Sequence, residues 1–102
     1  IIGTYYIKTN QQGGGAHVCN CGYIVGTNAR GQGIAARMCG DSQIRARALG
    51  YTAMQFNFVL TSNTGAVRLW DRLGFVTVGR IPAAFAHPSC GLVDALVMHK
   101  AL

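Results

Sequence analysis

The run Arg30-Gly31-Gln32-Gly33-Ile34-Ala35-Ala36 has the residue types and spacing suited to holding a phosphorylated ligand. Gly31 and Gly33 let backbone N–H groups approach a ligand with no Cβ in the way. The first turn of a helix leaves N–H groups unpaired, with partial positive charge behind them, and anions settle there. Arg30 adds a fixed cation at the mouth of such a site. The apolar stretch from Cys21 to Val25 reads as a strand leading into it, through the polar turn Gly26-Thr27-Asn28. The segment predicts a pyrophosphate cradle. A glycine-rich turn that merely precedes a helix is the competing account, because short motifs also match by chance.

A second segment, Asn63-Thr64-Gly65-Ala66-Val67-Arg68-Leu69-Trp70-Asp71-Arg72-Leu73-Gly74-Phe75, follows at some distance. Together the two resemble the GCN5-related N-acetyltransferase (GNAT) superfamily. Its cofactor loop reads Gln/Arg-x-x-Gly-x-Gly/Ala, and its later signature reads Asn-x-x-Ala, an aromatic residue, then Leu-Gly-Phe. The resemblance covers essentially the whole chain. It implies an α/β (α+β) fold with a mixed, mostly antiparallel sheet and two helices packed on it. It implies acetyl-CoA as co-substrate, with Arg30, Gly31, Gln32, Gly33, Ile34, Ala35 and Ala36 on the pyrophosphate. The backbone of Tyr23, Ile24 and Val25 would line the pantetheine arm, and Asn63 would touch its middle.

At 102 residues the chain is expected to be one acyl-CoA N-acyltransferase-like domain, residues 1–102. It begins Ile1-Ile2-Gly3, and relatives of this kind carry a strand and helices before their counterpart of that strand. The expectation is a domain incomplete at its N-terminus, with apolar sheet surface covered by a second copy in a homodimer. The net charge of +6 comes from nine dispersed bases against three acids, which offers little support for a nucleic-acid partner. No apolar stretch has the length of a membrane span. Cys19, Cys21, Cys39 and Cys90 contain no Cys-x-x-Cys pair. His17, Cys19 and Cys21 on one strand face would be spaced about 7 Å apart, too far to close on one tetrahedral ion. No metal is expected. Small buried thiols plus one exposed thiol, in a cytoplasmic setting, is the reading.

The elements that position these groups follow from local pattern. Ile1 to Thr9 and His17 to Val25 read as antiparallel strands around a glycine-rich turn. Gly22 suggests a bulge or a close approach to the backbone. Gly33 to Leu49 reads as a helix with an apolar stripe of Ile34, Met38, Ile44 and Ala48, stopped by Gly50. Ala53 to Leu60 is a strand whose Met54, Phe56 and Phe58 share one face, with Gln55, Asn57 and Val59 on the other. Ser62 or Asn63 caps the second helix and Gly74 ends it. Phe75 to Ile81 and Leu92 to His99 close the sheet across a Pro82-to-Gly91 loop.

Acetyl transfer to an amine needs a proton acceptor, an oxyanion stabiliser and a proton for the departing thiolate. The position the resemblance aligns with a carboxylate base is Cys19, which reads as packing. The usual general-acid tyrosine is replaced by Trp70, which cannot ionise usefully. Asn57, an amide in an apolar strand, is the preferred substitute for holding the amine, with a structural amide the equal alternative. Tyr23 and Asp94 complete the candidate catalytic set, Asp94 accepting from the amine or pairing with an arginine. His87 could act as a base near neutral pH or be a solvated bystander. The implied function is N-acetyl transfer from acetyl-CoA to a primary or secondary amine of a small molecule, by direct attack. The alternative is a shortened, non-catalytic CoA-binding module.

Overall fold

The β-branched and aromatic residues Thr4, Tyr5, Tyr6, Ile7 and Thr9 make Gly3–Thr9 a strand, β1, in the computed structural model, which describes residues 3–25 and 33–102. The chain continues as β2 (Val18–Val25), α1 (Ile34–Ala48), β3 (Ala53–Leu60), α2 (Thr64–Arg72), β4 (Val76–His87) and β5 (Gly91–Ala101). This is the expected order of elements, with a short 3-10 turn at Gly13–Gly15 between β1 and β2. The strands form one mixed sheet in the order β1-β2-β3-β5-β4. β1–β2 and β4–β5 are antiparallel and β2–β3 is parallel. Two compact units divide the chain: residues 1–55 with 101–102, and residues 56–100.

In the first unit, α1 covers the β1–β2 ladder. His17 lies in the turn before β2 rather than in the strand. Gly22 makes no bulge, because the register runs unbroken through Tyr6↔Gly22. The close approach comes from the chain itself: a Cβ on Gly22 would stand 2.3 Å from Cε2 of Tyr6. The buried face of α1 is Ile34, Cys39, Ser42, Gln43 and Ala46, not the stripe through Met38, Ile44 and Ala48. Ile44 is 64% exposed. Hydrophobicity misled here because β2 presents Cys19 and Cys21, and small groups let small or polar helix residues pack against them. Cys19 and Cys39 are fully buried, Cys21 nearly so, and Cys90 is exposed, all as free thiols.

In the second unit, Phe56 stacks on Phe75 (centroids 4.3 Å apart) and lies 4.8 Å from Trp70, forming the aromatic core. The expected alternation of β3 fails beyond Phe56. Phe58 is half exposed, meeting Phe85 edge-on at 6.4 Å, while Val59 is buried. β4 runs straight through the expected loop. Its register with β5 steps from Ile81↔Ala95 to Phe85↔Val93, so Pro82, Ala83 and Ala84 stand opposite Asp94 alone. A bulge asks no ladder hydrogen bond of Pro82, which is why proline is tolerated inside a strand there. Gly50 and Gly74, with φ of +96° and +98°, end the helices as expected.

Candidate functional site

β2 brings Tyr23, Ile24 and Val25 to its C-terminal end, and α1 begins nine residues further on, at Ile34. Gly33 is the N-cap of α1 and sits in the left-handed region at φ +73°, where an L side chain is strained. A glycine there supplies no side chain to bond the first-turn N–H groups, and no acid occupies that turn. The backbone bond from Arg37 N–H to the Gly33 carbonyl, 3.1 Å long, closes the first turn. The helix therefore presents its donor-rich, partly positive end, and among the described residues its first turn holds no acid to compete for it. Ile34 is buried and Ala35 and Ala36 are half-buried, so these residues anchor the end to the unit. Arg30, Gly31 and Gln32, with residues 26–29, lie outside the described residues.

The side chain of Tyr23 is committed inside the first unit. Its hydroxyl is 2.7 Å from Ser42 Oγ and 3.8 Å from Met54 Sδ. Burial, then the hydrogen bond to Cys21, pushes its ionisation far above the ordinary tyrosine range. Cys19, at the position aligned with a base, is fully buried. Burial and then the adjacent Cys21 thiol hold its thiol up to about 11. Neither group is set up to take a proton near neutral pH.

Sequence reasoning missed an exposed polar cluster in this unit. Tyr5 donates its hydroxyl to Asp41, which also accepts from Arg45 Nε at 3.0 Å. Partial burial and the Asp41 bond push Tyr5 up to about 12, while Tyr5 and Arg45 hold Asp41 below its usual range. These residues line a groove of ≈ 650 Å³ together with Ile7, Met38 and Leu49. The i,i+4 spacing of Asp41 and Arg45 was the available signal.

The other candidates belong to the second unit. Asn63, not Ser62, caps α2, its side chain accepting the Ala66 N–H at 3.2 Å. Asn57 is exposed, which removes the premise that a buried amide had to be satisfied there. Asp94 faces the β4 bulge. Its Oδ1 accepts from the Ala83 N–H at 2.8 Å and its Oδ2 from Arg80 Nε at 2.6 Å, the arginine pairing weighed from sequence. Those two bonds, the Ala83 one first, hold its carboxyl below the usual aspartate value. They also pin Ala83 at φ +49°, a conformation a non-glycine residue takes only when held. His87 Nδ1 accepts the backbone N–H groups of Ser89 and Cys90 at 3.1 and 3.2 Å, which ties the β4–β5 turn. Trp70 is buried.

Comparison with known proteins gives a consistent result. The sequence model described as the Acetyltransferase (GNAT) family matches residues 1–75. The chain is 34% identical over 84 residues to N-acetyltransferase aca1 of Schizosaccharomyces pombe, covering 82% of this chain and 40% of that protein. Among solved structures, a GCN5-related N-acetyltransferase from Kribbella flavida matches with TM-score 0.95 and 42% identity, over 99% of this chain and 60% of that one. The fold is also shared, at TM-score 0.87 and 18% identity over 99% of this chain and 58% of the other, with yncA of Salmonella typhimurium. That structure, a putative acetyltransferase, was solved with its cofactor acetyl-CoA. The chain thus spans between 40% and 60% of the length of these relatives.

Proposed function

Because the chain belongs to the acetyltransferase (GNAT) family, we propose that it binds acetyl-CoA and transfers the acetyl group to the amine of a small molecule. The observation that carries this reading is the end of α1. Gly33 in the left-handed region, a first turn free of acids and no capping side chain fit a pyrophosphate. Arg30 to Ala36 would hold that group, and the backbone of Tyr23, Ile24 and Val25 would take the pantetheine arm. When bound, acetyl-CoA supplies the activated thioester. The amine attacks it directly, and the chain contributes binding, orientation and hydrogen bonds rather than a covalent intermediate. Asn57, exposed on β3, and the carboxyl of Asp94 are the groups proposed to hold the amine.

A second reading, a CoA-binding domain without efficient turnover, draws on one set of observations. Trp70 is buried where the family resemblance expects an acid, and Cys19 is buried where it expects a base. Residues 1–102 are proposed to act as one domain, in the cytoplasm, as a homodimer. Exposed Phe58, Val76, Val78, Phe85 and Leu92 support a covered sheet face. Among the described residues, no helix is long and apolar enough to cross a membrane.

Calorimetric titration of acetyl-CoA into the chain tests the proposal, with Gly33→Glu as control. Binding that the substitution abolishes supports it, and an acceptor screen then separates the two readings. No binding to the parent chain removes the cradle.

A further inference from the structure

The buried face of α1 has little to key it to β2. The helix buries Ile34, Cys39, Ser42, Gln43 and Ala46, and β2 against it buries Cys19 and Cys21. Cys39, Ser42, Ala46 and the two β2 thiols are small, and offer few large projections to fix the slide and rotation of the helix. A directed hydroxyl chain crosses this interface. Ser42 donates to the Cys39 carbonyl at 2.8 Å, which leaves its oxygen to accept from the Tyr23 hydroxyl 2.7 Å away. Tyr23 lies two residues before the end of β2, and Ser42 lies on the helix whose first residue is Ile34. The bond therefore joins the two elements that hold the ends of the segment between Val25 and Gly33. Hydrogen bonds inside a protein are directional and strong relative to dispersion contacts, so they specify position where packing does not.

We propose that Tyr23 is a positioning residue for the pyrophosphate cradle, acting through Ser42 to set where the N-terminus of α1 stands relative to the end of β2. This rests on the acetyl-CoA reading above. It gives the hydroxyl of Tyr23 a role other than proton transfer.

The same unit supplies a matched control. Thr9 Oγ1 and the Tyr51 hydroxyl are also 2.7 Å apart and part-buried, but they join β1 to the turn before β3. Tyr23→Phe and Tyr51→Phe each remove a phenolic oxygen from a 2.7 Å bond, the Tyr23 hydroxyl meeting Cys21 and Met54 Sδ as well. The test is the dissociation constant for coenzyme A, by calorimetry on the full chain, beside the thermal midpoint of each variant. The expected result is that both variants lose some thermal stability. Only Tyr23→Phe should bind coenzyme A more weakly, by roughly three- to tenfold. Ser42→Ala should reproduce that loss, and it serves as the second variant if Tyr23→Phe does not fold. Parent-like binding by Tyr23→Phe overturns the positioning role and leaves the acetyl-CoA reading intact. An equal loss in Tyr51→Phe also overturns it, because affinity would then follow stability alone. Failure of the parent chain to bind coenzyme A removes the acetyl-CoA reading itself, and this inference with it.

Discussion

The Asn63 side-chain oxygen accepts the backbone N–H of Ala66 at 3.2 Å and so caps α2. One atom is thereby spent on the fold, while the amide nitrogen takes no part in that bond. The two ends of the side chain can be separated by substitution. Asn63→Ala should destabilise by about 1 kcal/mol, the usual cost of a lost cap. Asn63→Asp keeps the capping oxygen and should melt near the parent. If the amide nitrogen also meets the pantetheine arm, Asn63→Asp loses affinity for acetyl-CoA without losing stability. Parent-like affinity in Asn63→Asp would limit Asn63 to its cap.

Asp94 gives a prediction with a definite pH sign. Its carboxyl is held below the ordinary value of 3.8 by the Ala83 N–H and then Arg80, so the folded state favours the ionised form. Its stabilisation is in place above the ordinary aspartate range and is lost as pH falls through the depressed value. Asp94→Asn should lower the urea midpoint at pH 7, and the gap from the parent should close as the pH is taken below 3.8. A gap that persists unchanged in acid would mean that the ion pair is not its source.

Much of the architecture was legible because its signals are local. Gly50 and Gly74 stop helices by conformations that other residues avoid, and β3 keeps the bounds Ala53 to Leu60 read from its largely apolar run. What was hidden depends on partners. Nothing in the helix sequence alone says that Ser42 and Gln43 turn inward while Ile44 turns out, since that follows from the small thiols opposite. The course of β4 through Pro82 was equally hidden, because it needs Asp94 from another strand to fill the bulge. For the site, the glycine-spaced cradle was legible as chemistry. The commitment of the Tyr23 hydroxyl to Ser42 was not, because the two lie far apart in the chain.

The buried thiols make the chain sensitive to base. Cys19 is raised from 9.0 to about 11 by burial first, and Cys21 moves the same way. A raised thiol favours the neutral form in the folded state. Its contribution is fully present below the unfolded value and is lost as pH climbs from 9.0 towards 11. The urea midpoint should fall steadily over that range, and Cys19→Ala should flatten the fall while lowering the midpoint at pH 7. An identical slope in the variant would assign the alkaline loss to other groups.

Trp70 decides how far the family pattern can be carried onto this chain. The resemblance sets a general-acid tyrosine at this position, but here the ring is buried, 4.8 Å from Phe56 and 6.3 Å from Phe75. Trp70→Ala should cost about 3–5 kcal/mol, as large aromatic truncations in cores do. Trp70→Tyr is the more telling substitution. A phenol introduced into this aromatic cluster must find a hydrogen-bond partner or lose about 1–3 kcal/mol, so the expected outcome is a lower thermal midpoint with acetyl transfer no faster than the parent. A clear rise in turnover with Tyr would mean that the position opens onto the reacting atoms. The chain would then lack an acid that one substitution restores, and the slow-turnover reading would gain its physical cause.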